Sequence, residues 1–226
     1  MQATPTMLLL VCALVLPLHS QGAEGLDPLN ATADQSTVYA MGLVRAHELR
    51  AWNLNGDEFE LYLEGLRDGF AQQPKLPLNR WLGSALAAER GRRQARIVEE
   101  RRASEAFLEY AAAEPGARRL ESGLVYTELK RGRGAPPGPD SVVRLHFHGT
   151  VRDGTVVETT TGLDEPVQLA MRDAIPCWRE GLGLLRAGGR AKLVCPAALA
   201  YGDTPPSPVI TPGAAVTYEI ELHSVD

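Results

Sequence analysis

The sequence predicts an α+β protein, in which an all-α N-terminal region precedes an antiparallel sheet packed on one short helix. Apolar residues recur at helical spacing between residues 34 and 113. After Pro115 and Gly116 the composition changes to alternating and β-branched segments separated by Gly and Pro. These segments show no strand–helix–strand alternation, which argues against a parallel sheet.

The first 23 residues are predicted to form a secretory signal peptide. Their apolar run, residues 7–18, is shorter than the roughly 20 residues that a membrane-spanning helix needs. It fits the h-region of a signal peptide, which has about 7 to 15 residues followed by small residues. The small residues here place cleavage just before Ala23 or Glu24. We therefore expect the protein to be exported.

Export determines which cysteines the mature protein contains. Removal of the signal peptide removes Cys12 and leaves Cys177 and Cys195. Lipidation at Cys12 is an alternative, but Val11 is bulky for the position before a lipidated cysteine. The two remaining thiols can form a disulfide in an oxidising compartment, worth about 3 kcal/mol in the chain-entropy model. The other interpretation is two buried apolar thiols. Export favours the disulfide.

Three helices are predicted after residues 24–33, which lack periodicity and are expected to be disordered. The first helix begins at Asp34 or Ser36, either of which is a suitable N-cap. A second amphipathic helix follows a break at an Asn-Gly-Asp segment and covers residues 59–70. A third is predicted to cover residues 78–113.

The charge pattern of the third helix suggests a spacer. Residues 89–102 are almost entirely charged residues and Ala, with Glu and Arg suited to pairing four residues apart, so this portion is predicted to be solvated rather than core. The first two helices then have little to bury their apolar faces against. We expect residues 34–114 to form a homodimer with a second copy of the chain. The alternative is that these helices fold back on their own chain.

The C-terminal half, residues 115–226, is predicted to be mostly strand. One short amphipathic helix, residues 178–185, interrupts the strands. The predicted strands cover residues 124–129, 142–151, 155–158, 191–195 and 215–222.

Composition excludes some function classes. The 226 residues carry a net charge of −5 and have a pI near 5.6, so the chain has no basic surface with which to replace the counterions of a nucleic acid. His146 and His148 lie on one face of a strand, a spacing that can suggest a metal. No third ligand is near them in the sequence, and we expect an exposed pair with no metal.

Four segments of the C-terminal half, in order and spacing, resemble the FKBP-type family of peptidyl-prolyl cis-trans isomerases. They read VRLHFHGTVRDGTVVETT, EPVQLAMRDAIPCWREGL, GGRAKLVCPAALAYGD and TPGAAVTYEIELHSV. The N-terminal helices, with segments such as LEGLRDGF, are similar to those of the dimeric macrophage infectivity potentiator type. The resemblance implies a five-stranded antiparallel sheet wrapped around the short helix. It also implies the periplasm or the outer-membrane surface of a Gram-negative bacterium.

The resemblance further implies an apolar pocket for a prolyl ring. The Ile175 N–H and the Tyr201 hydroxyl are expected to hold the substrate carbonyls, and Glu158 to orient Tyr201 or to polarise the site. The matching pocket positions are Phe147, Val157, Val167, Ala174, Ile175, Trp178, Tyr201, Ile210 and Tyr218.

Several of these positions depart from the family pattern. Val157 and Val167 stand where the family has aromatic residues, Phe147 where it usually has Tyr, and Glu158 where it has Asp. We therefore expect a wider, less aromatic pocket, with lower activity and weaker macrolide binding than the family norm.

The implied function is catalysis of proline-limited folding of exported polypeptides. Rotation about an X-Pro bond requires no covalent step, so no cofactor is expected. The alternative is a chaperone-like holdase that binds unfolded exported chains through a degenerate pocket and a dimer cleft without much catalysis.

Overall fold

The computed structural model describes residues 30–226. The signal peptide predicted for residues 1–23, and most of the disordered segment predicted after it, lie outside the described residues. Contacts among the described residues divide into two units, one that ends at Met41 and one that comprises Gly42–Asp226. The described part of the first unit contains the beginning of the first helix. Within residues 30–226, no helix is both long enough and apolar enough to cross a membrane.

The helical half matches the predicted pattern closely. Asn55 caps the second helix through a capping box, because its side chain accepts from the Glu58 N–H while the Glu58 carboxylate accepts from the Asn55 N–H. The three N-terminal helices are α1 (Ala33–Arg50), α2 (Gly56–Phe70) and α3 (Leu78–Ala112).

The C-terminal half forms a seven-stranded antiparallel sheet. Its strands are β1 (Ala117–Arg119), β2 (Val125–Lys130), β3 (Val142–Val151), β4 (Val156–Thr159), β5 (Val167–Ala170), β6 (Arg190–Cys195) and β7 (Val216–Val225). Their spatial order is β1-β2-β6-β7-β3-β4, and β5 also pairs with β3. The implied number of five strands was too low, because the short strands β1 and β5 have no clear pattern of their own.

The sheet is covered on both faces. The main core lies on the face that holds Tyr126 and Leu193, against the short helix α4 (Pro176–Leu184). Side chains alternate along a strand, so Val125 and Val194 point to the opposite face. There they form a second cluster with residues of α3 and its flanks: Leu108, Ala111, Ala215, Phe107, Ala112 and Ala117.

The burial pattern of α3 corrects the prediction that its charged middle is solvated throughout. Within residues 89–102, Ile97 and Glu100 are buried, with relative exposures of 7% and 4%. From Ile97 onward, α3 contains five buried residues that repeat at three- and four-residue intervals. The helix is therefore solvated in its first half and packed on the sheet domain in its second half.

Helix α2 also contacts α3. Arg92 of α3 forms an ion pair with Glu58 and donates to the Trp52 carbonyl at 3.2 Å. The Arg92 guanidinium holds the pKa of the Glu58 carboxyl below its usual range. Trp52 packs edge-to-face on Tyr62 at a centroid distance of 5.4 Å. Even so, none of the residues of α1 or α2 is buried in the single chain.

Candidate active site

Three aromatic rings meet between the sheet and α4. Trp178 of α4 packs edge-to-face on Phe147 of β3 at 4.9 Å and on Tyr218 of β7 at 5.0 Å between ring centroids. The two strands are neighbours, and α4 crosses the face to which both rings point. Edge-to-face pairs of this kind add to the stability gained from burial. The cluster thus forms a rigid apolar floor.

The position of the Tyr218 ring depends on Gly149, its partner on β3. A Cβ atom at Gly149 would lie 2.6 Å from Cε1 of Tyr218, a distance that real contacts do not show. The missing side chain leaves room for the phenol ring to lie across β3. Gly149 was not among the predicted site residues, although a glycine in the interior of a strand often marks the close approach of another group.

The phenol oxygen of Tyr218 lies 2.8 Å from that of Tyr201. Tyr201 follows a short 3₁₀ turn, Ala197–Leu199, and precedes Gly202, whose φ of 57° is in the left-handed region. Burial is the largest cause that raises the pKa of Tyr218 well above its usual range, and the hydrogen bond with Tyr201 adds to it. Tyr218 is therefore a neutral phenol throughout the physiological range.

All nine predicted pocket residues lie in or against the main core of the sheet domain, which contains many other residues as well; we call these nine the nine-residue cluster. Five are buried: Phe147, Ala174, Trp178, Ile210 and Tyr218. Four are partly exposed and pack against them: Val157, Val167, Ile175 and Tyr201.

Ile175 is the N-cap residue of α4, and Pro176 follows it at the first helical position. Among the described residues, the Ile175 N–H donates to no acceptor. The preceding carbonyl, that of Ala174, accepts from Arg179 at 2.7 Å. A backbone donor is thus left available beside the aromatic floor.

Comparison with known proteins assigns both the helical part and the sheet domain of this chain to known family models. Residues 134–223 match the family model for the FKBP-type peptidyl-prolyl cis-trans isomerase, and residues 34–127 match the model for the domain amino terminal to it. The FKBP-type 22 kDa peptidyl-prolyl cis-trans isomerase of Escherichia coli K12 is 30% identical over 203 residues, which cover 86% of this chain and 97% of that protein.

This chain belongs to the FKBP-type peptidyl-prolyl cis-trans isomerase family. It is accordingly an isomerase of X-Pro bonds. The outer membrane protein MIP of Legionella longbeachae is 28% identical over 228 residues, covering 96% of this chain and 97% of that protein. The crystal structure of FkpA from Escherichia coli matches with a TM-score of 0.62 and 28% identity, covering 86% of this chain and 97% of that one.

The carboxylate predicted for this FKBP-type site, that of Glu158, is exposed beside the cluster, and its charge is a minor cause of the raised pKa of Tyr218. Glu158 pairs with Gly149 in the β3–β4 ladder, in the same row of the sheet as Tyr218, but its side chain is exposed. Among residues 30–226, the Glu158 carboxylate has no hydrogen-bond partner. The Tyr201 hydroxyl is hydrogen-bonded to that of Tyr218 instead. Of the two roles predicted for Glu158, orientation of Tyr201 has no contact to support it.

A disulfide joins Cys177 to Cys195, with the Cα atoms 5.8 Å apart and both residues fully buried. Cys177 directly precedes Trp178 on α4, and Cys195 ends β6. In this FKBP-type chain the bond therefore ties the helix that carries the aromatic floor to the sheet. It confirms the disulfide interpretation of the two cysteines.

The two histidines of β3 lie outside this cluster. His146 Nδ1 is 3.4 Å from the Thr160 hydroxyl, and His148 Nδ1 is 3.1 Å from the Thr159 hydroxyl. Within the described part of the chain, no group of three or more His, Cys, Asp or Glu is placed to hold a metal ion.

Proposed function

We propose that the nine-residue cluster binds the prolyl ring and the preceding amide of an exported polypeptide. The observation that carries this proposal is the floor formed by Phe147, Trp178 and Tyr218, next to the hydroxyl of Tyr201. A ring of proline's size is recognised by flat apolar walls with a few convergent polar groups. Both features occur together here.

The apolar walls account for catalysis without a covalent step. Rotating a peptide bond costs about 18–20 kcal/mol, because the twisted amide loses its resonance. The planar amide has the larger dipole and is the better solvated in water. An apolar site therefore favours the twisted state relative to the planar one.

The tyrosine pair supports one polar contact to the substrate. Tyr218 is almost fully buried and finds its hydrogen-bond partner in Tyr201. Either hydroxyl could be the donor in this pair, and we propose the arrangement in which Tyr218 donates to the oxygen of Tyr201. The hydrogen of the partly exposed Tyr201 is then free to donate to a substrate carbonyl. The N–H of Ile175 is proposed as the second donor.

The departures from the family pattern lower the proposed activity rather than remove it. Val157 and Val167 offer less contact area than aromatic residues would. Glu158, exposed beside the site, is proposed to act only through its charge. A macrolide would depend on the same aromatic walls, so we propose weak binding for that ligand class.

We propose that residues 34–114 form a homodimer and that residues 115–226 form the isomerase domain. Support comes from large apolar side chains that α1, α2 and the first half of α3 leave exposed in a single chain. The exposed set comprises Val38, Tyr39, Met41, Leu43, Val44, Phe59, Leu61, Leu66, Phe70, Leu78, Trp81, Leu82 and Leu86. Large apolar side chains left exposed in this number favour a protein contact that covers them.

We propose that the protein acts outside the cytoplasm, in the periplasm or at the outer-membrane surface. The buried disulfide between Cys177 and Cys195 is typical of an oxidising compartment. The name of the Legionella relative, an outer membrane protein, points the same way. The substrates would then be unfolded or proline-containing exported polypeptides.

A proline-limited refolding assay tests this function. The wild-type chain should accelerate the slow phase, and Trp178→Ala should abolish most of that acceleration. Tyr110→Ala, at an exposed position of α3 outside that apolar set, is the matched control and should retain it. If the wild type suppresses aggregation but leaves the slow phase unchanged, the chain is a holdase and the proposed site is wrong.

A further inference from the structure

The second half of α3 contacts two segments that carry residues of the proposed site. One is the turn after β3, which holds Arg152 and leads into Val157. The other is the 203–215 loop, which holds Ile210 and leads into Tyr218. These segments are distant from α3 in sequence, so the contacts are tertiary.

Glu100 of α3 makes the contact to the β3–β4 turn. Its side chain is 5% exposed and lies 3.4 Å from Nη2 of Arg152 and 3.5 Å from Nη2 of Arg96. Arg96 is one turn away on the same helix, whereas Arg152 belongs to the sheet domain. Burial of a carboxylate is unfavourable unless the carboxylate is paired with a cation. The two arginines provide that pairing, so removal of the Glu100 carboxylate would take the partner from both.

Ser104, one turn further along α3, makes the contact to the 203–215 loop. Its hydroxyl accepts from the N–H of Ala215 at 2.8 Å and donates to Oε1 of Glu100 at 3.5 Å. Both Ser104 and Ala215 are buried. We call the connected group of Arg152, Glu100, Ser104 and Ala215 the polar clasp.

The same loop touches α3 at two further points. Arg101 forms an ion pair with Asp203. Gly213 has a φ of 83°, and a Cβ there would lie 2.8 Å from Cγ of Arg101. The N–H of Gly213 donates to the Gly202 carbonyl at 2.8 Å, which holds the two ends of the loop together.

We propose that the polar clasp makes α3 a positioning element of the isomerase site. Within the described residues, Glu100 and Ser104 form no hydrogen bond or ion pair with any of the nine cluster residues, but through Arg152 and Ala215 they connect both segments to α3. Ile210 belongs to the 203–215 loop, Val157 lies in β4 directly after the turn, and both pack in the cluster. The helix that leads to the dimerisation region thereby influences the width of the prolyl pocket. This inference rests on the proposed site.

The test compares Glu100→Ala, Ser104→Ala and Glu100→Gln in the full chain, with a short proline peptide as substrate. Glu99→Ala is the matched control, because the exposed Glu99 also pairs with Arg96 but does not reach Arg152. We expect kcat to fall about tenfold in Glu100→Ala with little change in KM, a moderate loss for a change that shifts reacting groups without touching them. Glu100→Gln keeps an acceptor for Ser104 and should recover most of the rate.

Hydrogen exchange at the Ala215 amide gives a second readout. We expect faster exchange in Glu100→Ala and Ser104→Ala, but not in Glu99→Ala. Wild-type kcat in folded Glu100→Ala would overturn the proposal, as would an equal loss in Glu99→Ala. If Glu100→Ala fails to fold, Ser104→Ala decides by the same criterion. Full activity in Trp178→Ala would instead overturn the proposed site, independently of the exchange result.

Discussion

The phenol oxygens of Tyr201 and Tyr218 lie 2.8 Å apart, joining the residue after a short 3₁₀ turn to an interior strand of the sheet. Tyr218 is buried, and Tyr201 is partly exposed on the same apolar cluster. The pair therefore links the floor of the proposed pocket to a group that a substrate can reach. The geometry of the pair predicts how much each hydroxyl contributes to the stability of the fold.

Removal of the Tyr201 hydroxyl should lower the free energy of unfolding more than removal of the buried Tyr218 hydroxyl. Tyr201→Phe leaves the Tyr218 hydroxyl buried without a partner, at a cost of about 1–3 kcal/mol. Tyr218→Phe removes the buried polar atom itself and should be milder. The double variant should be more stable than Tyr201→Phe alone, as measured by urea unfolding. An additive loss in the double variant would show that the hydroxyls do not depend on each other; Tyr110→Phe, at an exposed position, is the control.

Alkaline pH should destabilise the protein through Tyr218. Its pKa is raised in the folded state by burial, whereas the unfolded phenol ionises at about pH 10. The stability that this group contributes is fully present below that pH and is lost as the pH rises toward the folded pKa. Unfolding free energies measured between about pH 8 and pH 11 should fall more steeply in the wild type than in Tyr218→Phe. An equal dependence of the unfolding free energy on pH in the two proteins would show that Tyr218 is not the group responsible.

Gly149→Ala should damage both stability and activity. The new Cβ would collide with the Tyr218 ring, and overpacking of this kind typically costs about 1–3 kcal/mol. Displacement of the ring should also lower kcat/KM for a proline peptide. Gly91→Ala is the matched control, since nothing lies near a Cβ at that helical position. It should stabilise the protein by about 0.5–1 kcal/mol. Wild-type activity in Gly149→Ala would show that the ring position is unimportant.

Loss of the Cys177–Cys195 disulfide should destabilise the isomerase domain. The bond closes a separation of 18 residues, which the chain-entropy model values at about 3 kcal/mol. Denaturant unfolding of the Cys177→Ala/Cys195→Ala variant should show a loss of this order. The wild type should show the same loss only after reduction. Two titratable thiols in the unreduced, denatured protein would exclude the bond.

Charges on the exposed face of α2 should break the proposed dimer. Leu66 and Phe70 lie four residues apart on one face of α2 and are 52% and 95% exposed in the single chain, so Leu66→Glu/Phe70→Glu should leave the fold intact but yield a monomer in sedimentation. Leu129→Glu/Leu163→Glu, at exposed apolar positions of the sheet domain, should remain a dimer. A monomeric wild type would overturn the dimer proposal.

The sequence determined the local elements of this protein well. Helix α3 ends at Ala112, one residue from the predicted limit, and β3 covers the predicted residues 142–151. Such boundaries depend on periodicity, on caps such as Asn55, and on Pro and Gly, all of which act within a few residues. The nine pocket positions were also predicted from the sequence, through the family pattern, and they stay a prediction.

Only the tertiary structure decided the contacts that connect these elements. Nothing near Glu100 in the sequence distinguishes it from the exposed Glu99, and its burial depends on Arg152, 52 residues away. Likewise, the phenol of Tyr218 requires both the space at Gly149 and the hydroxyl of Tyr201. Local pattern records which face a side chain prefers, but a hydrogen bond or a close approach requires two distant segments to meet. The folded sheet and the docked end of α3 bring those segments together.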